Sequence, residues 1–587
     1  MSPIRIFVFC VFWTMVGALF WRPTELLANT DACPNISVDE ADYGELLRAA
    51  DCLQNQGDRA ALPFLEAMHR QLSGSANSAE LVALEGRLGS FYLQFGDHQD
   101  NYAILESGIG RAKSLGQAGL AASLLNDLGR LYMSHDLPLF AVAAFDDALR
   151  LARPNDRPLR VGAGLNLTRV LLEQGKSADL GTRLEAINED IESLQQADLK
   201  ARHYLTLGTL YREAQVQLGM PAAWRGRAHT AFTNALELAE DQNDLLYSYA
   251  LGYVGALYED EERLTDALRY TREAALVAQR ARSDASLYQW QWQSGRILRA
   301  QENPDAALQA YRLATATLSN IWLNVADRSE RGFRRDIAPL YFEIADLLLA
   351  RTATLASTSD VRRNLIDVRD TLEQLKVAEV EDYFDDQCAV NEDQSQLEQF
   401  AQDAAIVYPV ILEDRIELLL SLPGGLTQHT TQVDKETLES TIRQLRLSLE
   451  NPGNAGSFQP FAETMHEWLI APLEASIDGA GIETLVLVPG GLLRTIPLAV
   501  LHDGEQFLIE KYAVVTSAGL TLTGGRDGSP VPDSILVNGL TESVRGFPAL
   551  PHVANEIDSI AALYPAQVNR NAAFSVASIE SELTENP

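Results

Sequence analysis

The segment Leu125-Asn126-Asp127-Leu128-Gly129-Arg130-Leu131-Tyr132, followed by Ala141-Val142-Ala143-Ala144-Phe145-Asp146-Asp147-Ala148, decides how most of this chain is read. Large apolar residues recur at three- and four-residue spacing, the period of an amphipathic helix. One small residue, Gly129, sits inside the first run, and Ala141 and Ala148 bracket the aromatic Phe145 in the second. Small residues let two antiparallel helices approach closely. Tyr132 and Phe145 then fill the space between that pair and the next.

The pattern recurs on both sides. Leu251, Val254, Gly255, Tyr258, Ala267 and Ala274 repeat it, with Thr271 in place of the aromatic. Gly295, Leu298, Ala307, Tyr311 and Ala314 repeat it again, with Asn303-Pro304 between the helices. Tyr204, Leu207, Gly208 and Tyr211 open another copy, continued by Ala228, Phe232 and Ala235 after an insertion around Leu218 to Arg225. Weaker copies centre on Gly89 and Thr168, and a degenerate pair is expected over Tyr43 to Leu72. The small residues fall at 89, 129, 168, 208, 255 and 295, so successive steps are 40, 39, 40, 47 and 40 residues. Copies in register at a fixed period are the signature of a solenoid. This pattern resembles the tetratricopeptide repeat, whose shortest period is about 34 residues, so longer helices or loops are expected here. The resemblance implies an α-helical solenoid over residues 40–350. Its extended concave surface would take a protein or peptide partner, unless the array only positions its neighbour. Trp290 and Trp292, in a first helix, read either as core or as groove lining.

The flanks add less. Arg5 precedes an uncharged apolar run from Ile6 to Trp21. That run is shorter than the ~20 residues a membrane-spanning helix needs, and it reads as a secretory signal over residues 1–28, cleaved after Ala28. An uncleaved anchor is the alternative. Export would place the mature chain in the periplasm or outside the cell. There Cys33 and Cys52 could form a disulfide, or remain two free thiols. The net charge of −34 repels nucleic acid and anionic lipid, so neither is an expected partner, nor is the membrane once the signal is gone. No metal-ligand spacing and no phosphate-binding loop occurs, so neither a metal nor a cofactor is expected. The oligomeric state is not legible.

After residue 350 the composition changes. A helical linker over 351–400 contains Arg362 to Phe384. From 401 strands and helices alternate: a hairpin over Ala405 to Leu422, helices at Asp434–Glu450 and Phe458–Ser476, strands at Thr484–Val488, Ala513–Thr516 and Ser534–Asn538, and a helix at Val553–Leu563. Alternation of this kind argues an α/β sheet. The blocks Glu379-Val380-Glu381-Asp382-Tyr383-Phe384, Leu485-Val486-Leu487-Val488-Pro489-Gly490-Gly491, Ile496-Pro497-Leu498 and Leu550-Pro551 through Tyr564-Pro565 resemble the CHAT domain. That family is related to caspases, and the resemblance implies the first part of a caspase-like α/β domain over 401–587. It also implies a parent that is a cysteine peptidase. In it, a His abstracts the proton of a Cys thiol whose thiolate attacks a peptide carbonyl. The family's His lies in a His-Gly pair, but none of His429, His466, His502 or His552 is followed by Gly. Cys388 precedes the sheet. The dyad motifs would begin just past Leu583, so no catalytic residue is carried over. The expectation is a truncated peptidase relative or an exported, non-catalytic interaction scaffold.

Overall fold

The computed structural model describes residues 43–55, 61–73, 78–95, 99–176, 178–319, 337–384, 404–450, 456–521, 535–544 and most of 546–582. The signal segment and Cys33 lie outside the described residues. The chain divides into two compact units, one ending at Gly519 and one starting at Leu520, apart from a few residues near 391–396.

The first unit opens with antiparallel helix pairs: α1 Tyr43–Asn55 with α2 Leu62–Ser73, α3 Ala79–Phe95 with α4 Gln99–Ser114, α5 Ala118–Ser134 with α6 Pro138–Leu151, and α7 Arg157–Glu173 with α8 Leu180–Glu192. Next come α9 Ala197–Gln217 with α10 Ala223–Ala239, α11 Asp244–Asp260 with α12 Leu264–Arg280, and α13 Asp284–Ala300 with α14 Pro304–Ser319. A further pair is α15 Ala338–Thr352 with the long α16 Thr358–Phe384. Each helix packs mainly on its predecessor and successor, the arrangement that makes a solenoid.

Local chemistry sets the turns. At Asp136, Glu262, Arg282 and Glu302 the backbone is left-handed, with φ of 56°, 58°, 51° and 58°. The next N–H then reaches back to close the preceding helix: Leu137 to the Tyr132 carbonyl at 2.8 Å, Arg263 to Tyr258 at 2.9 Å, Ser283 to Ala278 at 3.0 Å, Asn303 to Leu298 at 3.0 Å. This is the Schellman closure, which satisfies carbonyls that a helix end leaves open. The following helix starts at once; Asn243 and Ser283 cap theirs by accepting from the Leu246 and Ser286 amides. The longest step, around Leu218 to Arg225, is taken up by a 21-residue α9 and a turn through Gly219, φ 62°.

The unit closes with a five-stranded sheet, order β3-β2-β1-β4-β5. Its strands are β1 Ala405–Ile411, β2 Ile416–Leu422, β3 Gly425–Thr431, β4 Thr484–Leu487 and β5 Ala513–Thr516. β1, β2 and β3 are antiparallel, whereas β4 runs parallel to both β1 and β5. Helices α17 Lys435–Leu449, α18 Gln459–Leu469 and α19 Ala471–Gly479 bury Leu438, Ile442, Leu445, Met465, Leu469, Leu473 and Ile477 in one core with the strands. The sequence reading had one helix over 458–476; Pro472 divides it, because proline lacks the N–H a helix interior needs. It also ended the hairpin at Pro423-Gly424-Gly425, which is the turn into β3. The second unit holds the parallel pair β6 Ile535–Gly539 and β7 Ala566–Arg570, joined through helix α20 Val553–Leu563.

Candidate functional site

Gly129 lies under the ring of Phe145: a Cβ there would stand 2.5 Å from the ring. Gly208 lies likewise under Phe232 at 2.4 Å, and Gly295 under Tyr311 at 2.4 Å. Ala141, Ala148, Ala267, Ala307 and Ala314 are fully buried, Leu125 nearly so, and Tyr132 and Tyr258 are half-buried. Where Thr271 replaces the aromatic, Gln293 of the next repeat fills the gap. It donates to the Thr271 hydroxyl at 2.7 Å and the Gly252 carbonyl at 3.0 Å, close over Gly255. Trp290 is buried and donates to the Ser248 hydroxyl at 2.9 Å; Trp292 is buried and donates to Glu343 at 3.0 Å.

With the apolar positions consumed by packing, another row of the first helices becomes distinct. Ser90, Arg130, Arg169 and Arg296 stand one residue after a small residue, and Arg212, Glu213, Glu259, Asp260 and Arg299 four or five after one. These spacings lie on one helix face. The row is joined across repeats. Ser90 donates to Asp127 at 3.3 Å, Arg130 pairs with Asp127 at 3.4 Å, and Asn166 donates to Asn126 at 2.9 Å. Arg212 grips Asp260 with two bonds of 2.6 and 2.8 Å, and Arg296 grips Glu259 at 2.9 and 3.3 Å. Arg299 pairs with Asp346 on α15. Arg415, on the β1–β2 turn, takes the other Asp346 oxygen at 2.5 Å and also donates to Glu417 at 2.6 Å. The result is a chain of alternating charge from α9 to the sheet, preceded by polar links on α3, α5 and α7.

Burial tunes its members. The Glu213 carboxyl is pushed up to about 7, because desolvation outweighs the attraction of Arg169 and Arg212, with Glu173 adding repulsion. The Asp127 carboxyl is raised by burial against the pull of Arg130. Burial likewise raises Glu343 against Arg296. A buried Tyr253 hydroxyl and one Arg169 nitrogen have no hydrogen-bond partner in this stretch. The sequence marks this row only weakly, because its Arg, Asp and Glu shift between one, four and five residues after the small positions.

Of the cysteines, Cys52 on α1 is disulfide-bonded. Of the four histidines in the C-terminal part, His466 and His502 are buried, each 3.6–3.7 Å from a glutamate, Glu474 and Glu463. No described cysteine stands in the sheet region. Among the described residues no group of three or more His, Cys, Asp or Glu is placed to hold a metal ion, and no helix is long and apolar enough to cross a membrane.

Residues 459–587 match the family model of the CHAT domain. No curated protein matches the chain. Among solved structures it is similar to the apo form of RapI, at 14% identity, covering 50% of this chain and 99% of that one with a TM-score of 0.37. It is also similar to a tetratricopeptide repeat protein from Parabacteroides merdae, at 17% identity, covering 47% and 93% with a TM-score of 0.32.

Proposed function

We propose that this chain, a tetratricopeptide-type repeat array joined to a CHAT domain, works as a protein-interaction module whose first-helix face binds an extended polypeptide. The charge ladder carries the reading: the successive first helices α9, α11, α13 and α15 are joined by pairs of arginine and carboxylate, and Ser90–Asp127 and Asn166–Asn126 continue the polar row on the earlier ones. Solenoids use such extended surfaces for binding. A peptide library selected on the full chain tests it. Binders should lose on the order of tenfold or more in affinity with Arg169→Ala, since a truncated contact of this kind costs above ~1 kcal/mol. They should be indifferent to Arg150→Ala on a second helix. Equal loss with both, or with neither, contradicts the reading.

The parent activity implied by the CHAT resemblance is cysteine peptidase, and we propose that these 587 residues do not carry it out. No histidine in the matched region precedes a glycine, and no cysteine lies there. Extending the genomic reading frame past codon 587 would show whether a His-Gly strand and a Cys motif follow. If they do, the chain is part of a peptidase; if they do not, the binding role stands alone.

Export remains part of the proposal. It is supported by the apolar run at Ile6 to Trp21 and by the disulfide at Cys52, since disulfides persist in oxidising compartments. Cys33 is the proposed partner. Peptide mapping without reduction would show a Cys33–Cys52 link, and an N-terminus near Asn29. A retained Met1 would mean an anchored chain. Neither nucleic acid nor lipid is a proposed partner.

A further inference from the structure

Helix α16 spans 27 residues, about 40 Å at the helical rise, and its two ends hold different things. Its first half is fastened to the array. Asn364 is buried and donates to the Leu348 carbonyl at 2.6 Å and the Thr352 hydroxyl at 2.9 Å, both on α15. Arg312 of α14 pairs with Asp367 at 2.9 Å. Its second half is fastened to the sheet. The Tyr408 hydroxyl of β1 donates to buried Glu373 at 2.7 Å. The Lys376 ammonium, 5% exposed, donates to the Pro489 carbonyl at 2.9 Å and lies 3.7 Å from Glu379.

Pro489-Gly490-Gly491 is the turn at the carboxyl end of β4, a strand parallel to both its neighbours. Carboxyl ends of parallel strands are where sheets of this kind bind ligands. The Pro489 carbonyl takes a second donor, Arg494 at 3.1 Å, and Arg494 also pairs with Glu379. The lysine nitrogen lies against Gly490, where a Cβ would stand in ordinary contact with it at 3.4 Å. A buried ammonium is costly, and an apolar side chain of similar length would fill the space at lower cost. The lysine is therefore placed for geometry rather than for stability.

We propose that Lys376 is a positioning residue that lets the strand-end turn at Pro489–Gly491 respond to the last helix pair of the array, with α16 as the rigid lever between them. The proposal does not depend on what the array binds.

Hydrogen exchange on the full chain tests it. Asn364→Ala loosens α16 from α15, and it should speed exchange of the amides at 490–493 roughly five- to tenfold, the lower range of coupling between distant sites. In a Lys376→Met background those amides should already exchange fast, and adding Asn364→Ala should change them no further. Lys376→Leu should reproduce the Lys376→Met behaviour, and it replaces that variant if the latter does not fold. Unchanged exchange at 490–493 when 348–372 exchanges faster would overturn the proposal. So would an Asn364→Ala effect of the same size in the Lys376→Met or Lys376→Leu background.

Discussion

Two demands act on single residues here, close helix approach and burial of charge, and they are differently visible. Close approach constrains residue type, so it can be read from sequence. Phe145 occupies the space a side chain at Gly129 would need. Gly129→Ala should therefore destabilise by about 1–3 kcal/mol through overpacking, although alanine is the better helix former. Gly162 on α7 has nothing within 4 Å of a Cβ, and Gly162→Ala should stabilise by about 0.5–1 kcal/mol. Denaturant unfolding of both variants checks the pair. Burial of charge leaves no such mark in the sequence, since a glutamate at 213 reads as surface. Its carboxyl titrates near 7, above the usual value, so the folded state binds a proton that the unfolded state has released. Stability from this group is thus lost as pH rises from about 4.5 through about 7. Glu213→Gln should gain on wild type across that window, by about 2–3 kcal/mol between pH 5 and 8. A gap that stays constant over the window would mean Glu213 is ionised throughout.

At the scale of elements, helix pairs were legible because the repeat multiplies a weak signal. The sheet was legible in part. The apolar runs of β1, β2 and β4 declare themselves, whereas β3, Gly-Leu-Thr-Gln-His-Thr-Thr, is mostly polar because it lies at the sheet edge. The turns were legible in part: Asn303-Pro304 marks the one before α14, whereas at Asp136, Glu262 and Arg282 acidic and basic residues hold left-handed positions that glycine adopts more easily. Glu302→Gly should relieve that strain and stabilise by about 1 kcal/mol; a loss would mean that the glutamate side chain does something at this turn. The ladder is an element-scale feature too. Arg212 and Asp260 are 10% and 18% exposed. Arg212→Ala should cost about 3–5 kcal/mol, as for a buried pair stripped of one partner. Arg280 and Asp244 make an equally short pair at 62% and 37% exposure, and Arg280→Ala should change the unfolding midpoint far less, because solvent screens it. Comparable losses from the two substitutions would remove the distinction between ladder and surface.

Among the described residues, side-chain bonds join array and sheet at Asp346 and along α16. Asp346 holds Arg299 from the array and Arg415 from the β1–β2 turn. Helix α16 reaches from Leu348 to Pro489. The family resemblance was visible in short blocks, one of them at the strand end where Gly491 takes a left-handed φ of 55°. The bridges were not visible, because their partners are separated by 69 residues in one case and 113 in the other. Hydrogen exchange of the full chain, with and without a peptide selected on it, shows whether the first-helix face receives the partner. Protection should appear in the first helices, over 118–134, 157–173, 197–217, 244–260 and 284–300. Protection confined to the second helices, or to the sheet beyond 404, would contradict it.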